Sequence, residues 1–152
     1  MGAKVLMVCL GNICRSPLAE GILKSKLDKE NFHVDSAGTA SYHIGKKPDD
    51  RSISIAKRYG IDISQQRCRQ FTFKDFSDFD FIFAMDNSNY ENVIALAKNK
   101  NDKAKVKLLL YKTNTTNKEV PDPYYGGDDG FEEIFHLIDS ACNLIAQDLM
   151  HK

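Results

Sequence analysis

The segment Cys9-Leu10-Gly11-Asn12-Ile13-Cys14-Arg15-Ser16 places a thiol, five residues, an arginine and a hydroxyl between an apolar run and the start of a helix. That layout builds a socket for a phosphate-like dianion with a sulfur nucleophile at its base. Backbone N–H groups of the loop and of the helix N-terminus can converge on one anion. Gly11 lets the loop curl without a side-chain clash. The Arg15 guanidinium offers a planar fork that matches two phosphate oxygens. The same positive surroundings favour thiolate over thiol at Cys9. Ser16 can donate a hydrogen bond to that sulfur, and Asn12 can hold the shape of the loop. The spacing alone would also suit a buried cysteine at a strand end and a solvated arginine. The preceding strand, the glycine within and the Ser-Pro helix start argue against that.

A second segment, Val120-Pro121-Asp122-Pro123-Tyr124-Tyr125-Gly126-Gly127, carries an aspartate between two prolines. The prolines restrict where the carboxylate points. By itself this reads equally as a proline-rich turn. Paired with the thiol loop it gains a task. A thiolate that attacks a phosphate monoester expels an alkoxide or phenoxide, and a general acid must protonate it. Asp122 fits, and as a carboxylate it could then activate water against the phosphocysteine. One or both tyrosines can wall a cleft for a flat ring.

The elements that must position these loops follow from periodicity. The 152 residues are most simply one domain, 1–152, with 42% hydrophobic and 28% charged residues. A formal net charge of +0 gives no broad footprint for nucleic acid or an anionic membrane. Val5 to Val8 reads as a buried strand and a helix starts near Ser16-Pro17, with serine as its N-cap. A second strand spans 32–39. A helix spans 49–59, with Gly60 as its C-terminal cap. Strands at 79–84 and 106–110, a helix at 88–98 and a long final helix from Phe131 complete the order. Alternating strands and helices predict a parallel sheet covered on both faces, with ligands beyond the carboxyl ends of its strands. The apolar run Val5 to Leu10 is too short for a signal core or membrane span, and Leu6 stands where a myristoylation motif needs Ser or Thr. A soluble, cytoplasmic protein without a disulfide framework is the expectation.

With both segments placed, the chain resembles the low-molecular-weight protein tyrosine phosphatases over essentially its whole length. Residues 8–17 match the family's signature loop and 122–126 its general-acid loop. Asp-Ser-Ala-Gly-Thr at 35–39 and Ala-Met-Asp-Asn-Ser-Asn at 84–89 match further pieces. The resemblance implies an α/β, three-layer flavodoxin-like fold with a four-stranded parallel sheet flanked by helices on both faces. It implies hydrolysis of phosphotyrosine proteins or small aryl phosphates through a phosphocysteine, without metal or cofactor, inhibited by phosphate- or vanadate-type anions. By position Cys9 is the nucleophile, Arg15 the phosphate clamp and Asp122 the proton donor, with Leu10 to Ser16 as the phosphate-binding loop. Asn12, Ser16, Ser36 and Asn89 fall in the supporting network. Tyr42, Tyr124 and Tyr125 fall on the substrate walls. Cys14 matches a redox partner for Cys9. Gln66 stands where relatives often carry His, and Tyr42 where many eukaryotic relatives carry Trp. A monomer or weak homodimer is the expected state.

Three other readings share these residues. Arsenate reductases on this scaffold place further cysteines near 80–90, where Met85 stands. Protein-arginine phosphatases carry Thr where this loop has Ile13 and lack the paired tyrosines. A non-catalytic thiol or anion-binding module would leave Asp122 without a task. His33, His43, His136 and His151 form no metal-ligand pattern with the cysteines. Cys142 lies on an apolar helix stripe, Cys68 has no expected role, and the 98–107 charge cluster reads as a solvated face.

Overall fold

The strand at the start of the chain is apolar at successive positions, because both of its faces are covered. A computed structural model describes residues 2–124 and 128–151, with 128 and 129 described through their backbone alone. In it β1 (Lys4–Cys9) lies inside a parallel sheet of four strands with β2 (His33–Gly38), β3 (Phe81–Ala84) and β4 (Val106–Leu108), in the order β2-β1-β3-β4. Val5, Met7 and Cys9 point to one face. They pack against α1 (Arg15–Lys26), α2 (Asp50–Arg58) and α6 (Asp128–Met150). Leu6 and Val8 point to the other face, against Phe76 of α3 (Asp75–Asp78) and Val93 of α4 (Asn87–Ile94). A short α5 (Lys100–Ala104) leads into β4. This is the expected α/β, flavodoxin-like three-layer arrangement.

The strand order reverses at β1, since β2 pairs on one side and β3 on the other. The carboxyl end of β1 is therefore a switch point, where a crevice opens beyond the sheet. The loop at 10–14 leaves β1 at that point.

Several boundaries differ from the sequence reading. α1 begins at Arg15, its N-cap is Cys14, and no side chain caps it. Ser16 is therefore not the N-cap; its hydroxyl turns to the Cys9 sulfur instead. Pro17 still lies in the first turn, where a missing N–H is harmless. β3 starts at Phe81, because Phe79 closes α3. β4 stops at Leu108, because its partner ends at Ala84 in register. α4 ends at Ile94 rather than Lys98. The 98–107 cluster is more than a solvated face: it holds α5, capped by Asn99, with Asp102 buried. Gly60 takes φ +81 after α2, and the Ile61 N–H returns to the Ala56 carbonyl, as a left-handed cap requires.

Candidate active site

Asn12 is the loop's one non-glycine left-handed residue, with φ 57, and it is buried. Hydrogen bonds with Arg69, Cys68, Ser16 and Ser36 hold it there. The Arg69 N–H donates to Asn12 Oδ1 at 3.0 Å, which fixes the amide orientation. The Cys68 thiol donates to the Asn12 carbonyl at 2.8 Å. Asn12 Nδ2 then donates to Ser16 Oγ at 2.8 Å and to Ser36 Oγ at 3.0 Å. The Ser36 hydroxyl passes its own hydrogen to Glu20 Oε1 at 2.7 Å, and Lys24 closes the chain on Glu20 Oε2.

The direction of these bonds bears on the sulfur. Ser16 Oγ already accepts from Asn12, so its one hydrogen is free for Cys9 Sγ, 2.9 Å away. The Asn12 N–H points at the same sulfur from 3.3 Å. The Ser16 hydroxyl and the Asn12 N–H can thus both donate to Cys9, an arrangement suited to a sulfur anion. Burial and the neighbouring Asp49 carboxylate push Cys14 up to about 12. Cys14 is therefore held as a neutral thiol beside Cys9.

Arg15 is only 3% exposed, so its guanidinium needs fixed partners. Nη1 donates to Asp86 Oδ2 at 2.7 Å and to the Val120 carbonyl at 2.9 Å. Burial opposes the charge, but Cys9, Asp86 and Asp122 together hold Arg15 above its ordinary range. Asp86 is also the N-cap of α4, accepting from the Asn89 N–H at 2.8 Å. With the Asn89 amide turned to satisfy both neighbours, its nitrogen donates to Asp86 Oδ1 and its oxygen accepts from the Leu10 N–H. Asn89 therefore buttresses the loop from the Asp86 side, separately from the Asn12–Ser16–Ser36 chain.

Gly38, at the end of β2, lets the loop pack down. A Cβ there would lie 2.8 Å from the Leu10 carbonyl oxygen and 3.1 Å from the Asn12 nitrogen, both backbone atoms.

Cys9, Gly11, Ile13, Cys14 and Arg15 open into one cleft of about 300 Å³. Leu10, Tyr42, His43, Asp122 and Tyr124 complete its walls. Asp122 Oδ1 accepts from the Tyr124 N–H at 3.0 Å, and Oδ2 stands 3.7 Å from Arg15 Nη2. Tyr42, 71% exposed, stands at the mouth. The sequence-expected residues Cys9, Arg15, Asp122, Tyr42 and Tyr124 are thus brought together. Tyr125 lies outside the described residues. Cys142 is packed between α1 and α6, as its stripe predicts.

Sequence reasoning missed Glu20, Asp86, Cys68, Arg69 and His43. Asp86 offered a signal, a carboxylate just past a strand's carboxyl end. Glu20 offered another, a carboxylate within the otherwise apolar run Leu18 to Leu23. Cys68 and Arg69 gave none. Gln66 does not reach Asn12; its Nε2 donates to the Pro17 carbonyl at 3.1 Å and braces the first turn of α1. Among the described residues no group of three or more His, Cys, Asp or Glu side chains could hold a metal ion, and no helix is long and apolar enough to cross a membrane.

A family model described as low molecular weight phosphotyrosine protein phosphatase matches residues 4–152. A Synechocystis sp. relative is 46% identical over 144 residues, covering 91% of each chain. The crystal structure of YfkJ from Bacillus subtilis superposes with a TM-score of 0.91 at 38% identity, over 99% of this chain and 96% of that one. Vibrio vulnificus Wzb in complex with benzylphosphonate superposes with a TM-score of 0.88 at 33% identity, over 98% and 100% of the two chains.

Proposed function

We propose that this chain, which belongs to the low molecular weight phosphotyrosine protein phosphatase family, hydrolyses phosphotyrosine and simpler aryl phosphate monoesters through a covalent phosphocysteine. The observation that carries the reading is the placement of the Ser16 hydroxyl and the Asn12 N–H against Cys9 Sγ at the floor of a cleft that also holds Arg15 and Asp122.

The Cys9 thiolate attacks phosphorus, and the bond from phosphorus to the aryl oxygen breaks. Asp122 gives that oxygen a proton as it leaves. The free part of the Arg15 fork and the loop amides stabilise the charge spreading over the equatorial oxygens. The N–H groups of Gly11, Ile13 and Cys14 have no protein acceptor among the described residues and are suited to that task. In the second half, the Asp122 carboxylate takes a proton from water as the water attacks phosphorus. The sulfur leaves as a thiolate, stabilised by the Ser16 hydroxyl, and orthophosphate is released. Orthophosphate and vanadate should therefore compete with substrate. The benzylphosphonate complex of the Vibrio relative, an aryl group one carbon from phosphorus, supports a cleft of this shape for an aryl phosphate. Tyr42 and Tyr124 would flank the ring.

Asp122→Asn tests the acid. It should lower kcat/KM for phenyl phosphate by about 10²- to 10³-fold, but by less than about tenfold for 2,4-dinitrophenyl phosphate, whose leaving group needs no proton. Equal losses on both esters would remove Asp122 from its role. Mass spectrometry of the quenched variant should find phosphate on Cys9.

Oxidation tests Cys14. Peroxide should convert the Cys9 thiolate to a sulfenic acid, and the Cys14 thiol should condense with it to a disulfide and water. Because Cys14 is held as a thiol, closure should lag behind oxidation. Peptide mapping that finds sulfinic acid at Cys9 and no intramolecular crosslink would reject this pairing. A nucleophilic thiolate works where it is kept reduced, which supports the cytoplasm as its compartment.

A further inference from the structure

We infer that Arg51 is a positioning residue for the proton donor, tying the loop of the nucleophile to the loop of the acid; this rests on Asp122 acting as that donor. The path can be followed bond by bond. The Asp49 N–H donates to the Ile13 carbonyl at 2.8 Å, which fastens the start of α2 to the phosphate loop. The Asp49 carboxylate caps α2 and grips the Arg51 side chain, accepting from Nε at 3.0 Å and from Nη2 at 3.1 Å. Nη2 donates on to the Tyr124 carbonyl at 3.0 Å. The guanidinium carbon lies 4.6 Å above the Phe131 ring of α6 and 5.6 Å from that of Tyr124. The Tyr124 N–H then holds Asp122 Oδ1.

Two consequences follow. With Oδ1 engaged by an N–H, Oδ2 is the oxygen left to carry the proton. The flanking prolines stiffen the acid loop but do not fix its distance from Cys9. The Asp49–Arg51 pair spans that gap, with Asp49 bonded to the phosphate loop and Arg51 bonded to the acid loop. A planar fork can hold Asp49 and the Tyr124 carbonyl together, which a point-like ammonium does less well.

The test compares kcat/KM, which reports cleavage of the ester bond and excludes hydrolysis of the phosphocysteine. Arg51→Met keeps a long unbranched side chain and removes the fork. It should lower the value for phenyl phosphate by about 10- to 100-fold, the scale of an ångström misplacement of a reacting group. For 2,4-dinitrophenyl phosphate the loss should be under about threefold, and inhibition by orthophosphate should stay within about twofold of wild type. Added to Asp122→Asn, it should cause no further loss on phenyl phosphate, since the two act as one unit. Arg51→Lys should show the same leaving-group pattern with a smaller loss, and it carries the test if the methionine variant folds poorly. Equal losses on both esters, a weakened orthophosphate inhibition, or a further loss in the Asp122→Asn background would reduce Arg51 to a general support of α2 and overturn the inference. An unchanged phenyl phosphate rate would do the same. If Asp122→Asn itself lacks leaving-group dependence, the donor assignment fails first and takes the inference with it.

Discussion

A Cys9→Ser protein should lose at least about 10⁴-fold in turnover and still bind orthophosphate. A hydroxyl at this position ionises far less readily than a thiol, and the two donors aimed at the sulfur cannot bridge that difference. The anion seat does not depend on the sulfur. Its loop is shaped by Asn12, by Arg69 and by the close approach of Gly38. Serine is isosteric enough to keep the Ser16 contact. Calorimetry should therefore show orthophosphate binding at least as strong as in the wild type, since a serine hydroxyl places no negative charge beneath the dianion. Substantial residual turnover would mean that the covalent route is wrong. Lost turnover together with lost phosphate binding would mean that the loop had collapsed and the sulfur is structural.

Arg15→Ala should reduce kcat/KM by about 10³- to 10⁴-fold, the range expected when a fixed guanidinium no longer meets a transferring phosphoryl group. Its second effect is on the fold. Asp86 and the Val120 carbonyl lose a buried donor, so stability should fall by about 1–3 kcal/mol. Arg15→Lys separates the two. An ammonium can keep the contact with Asp86, but it cannot hold Asp86 and the Val120 carbonyl and still present a planar pair of donors to phosphate. It should recover much of the stability and little of the rate. Urea melts beside steady-state rates would show this. A lysine variant as active as wild type would reduce the role of Arg15 to that of a charge.

Much of the site was legible because it is local. Cys9 to Ser16 is contiguous, and a loop that closes around one anion between a strand end and a helix start must carry its residue types at fixed spacing. Pro121-Asp122-Pro123 is legible for the same reason. The parallel sheet followed from alternating elements. What was not legible depends on partners far along the chain. The Arg15–Asp86 pair spans 71 positions, and the Arg69–Asn12 contact spans 57. Neither leaves a periodic trace. Ser16 shows the limit most clearly. Its type and place before proline satisfy every local rule for a helix cap, and a buried sulfur outcompetes the helix for its hydroxyl.

The sequence by itself determined the layered sheet and named the candidates for nucleophile, clamp and acid, since each rests on residues adjacent in the chain or on a regular period. Tertiary structure alone decided which way the donors around Cys9 point, what steadies Arg15, and which helix links the two loops. Hydrogen-bond direction is set by the last partner in a chain of contacts, and here those last partners, Arg69, Glu20 and Asp86, come from separate elements.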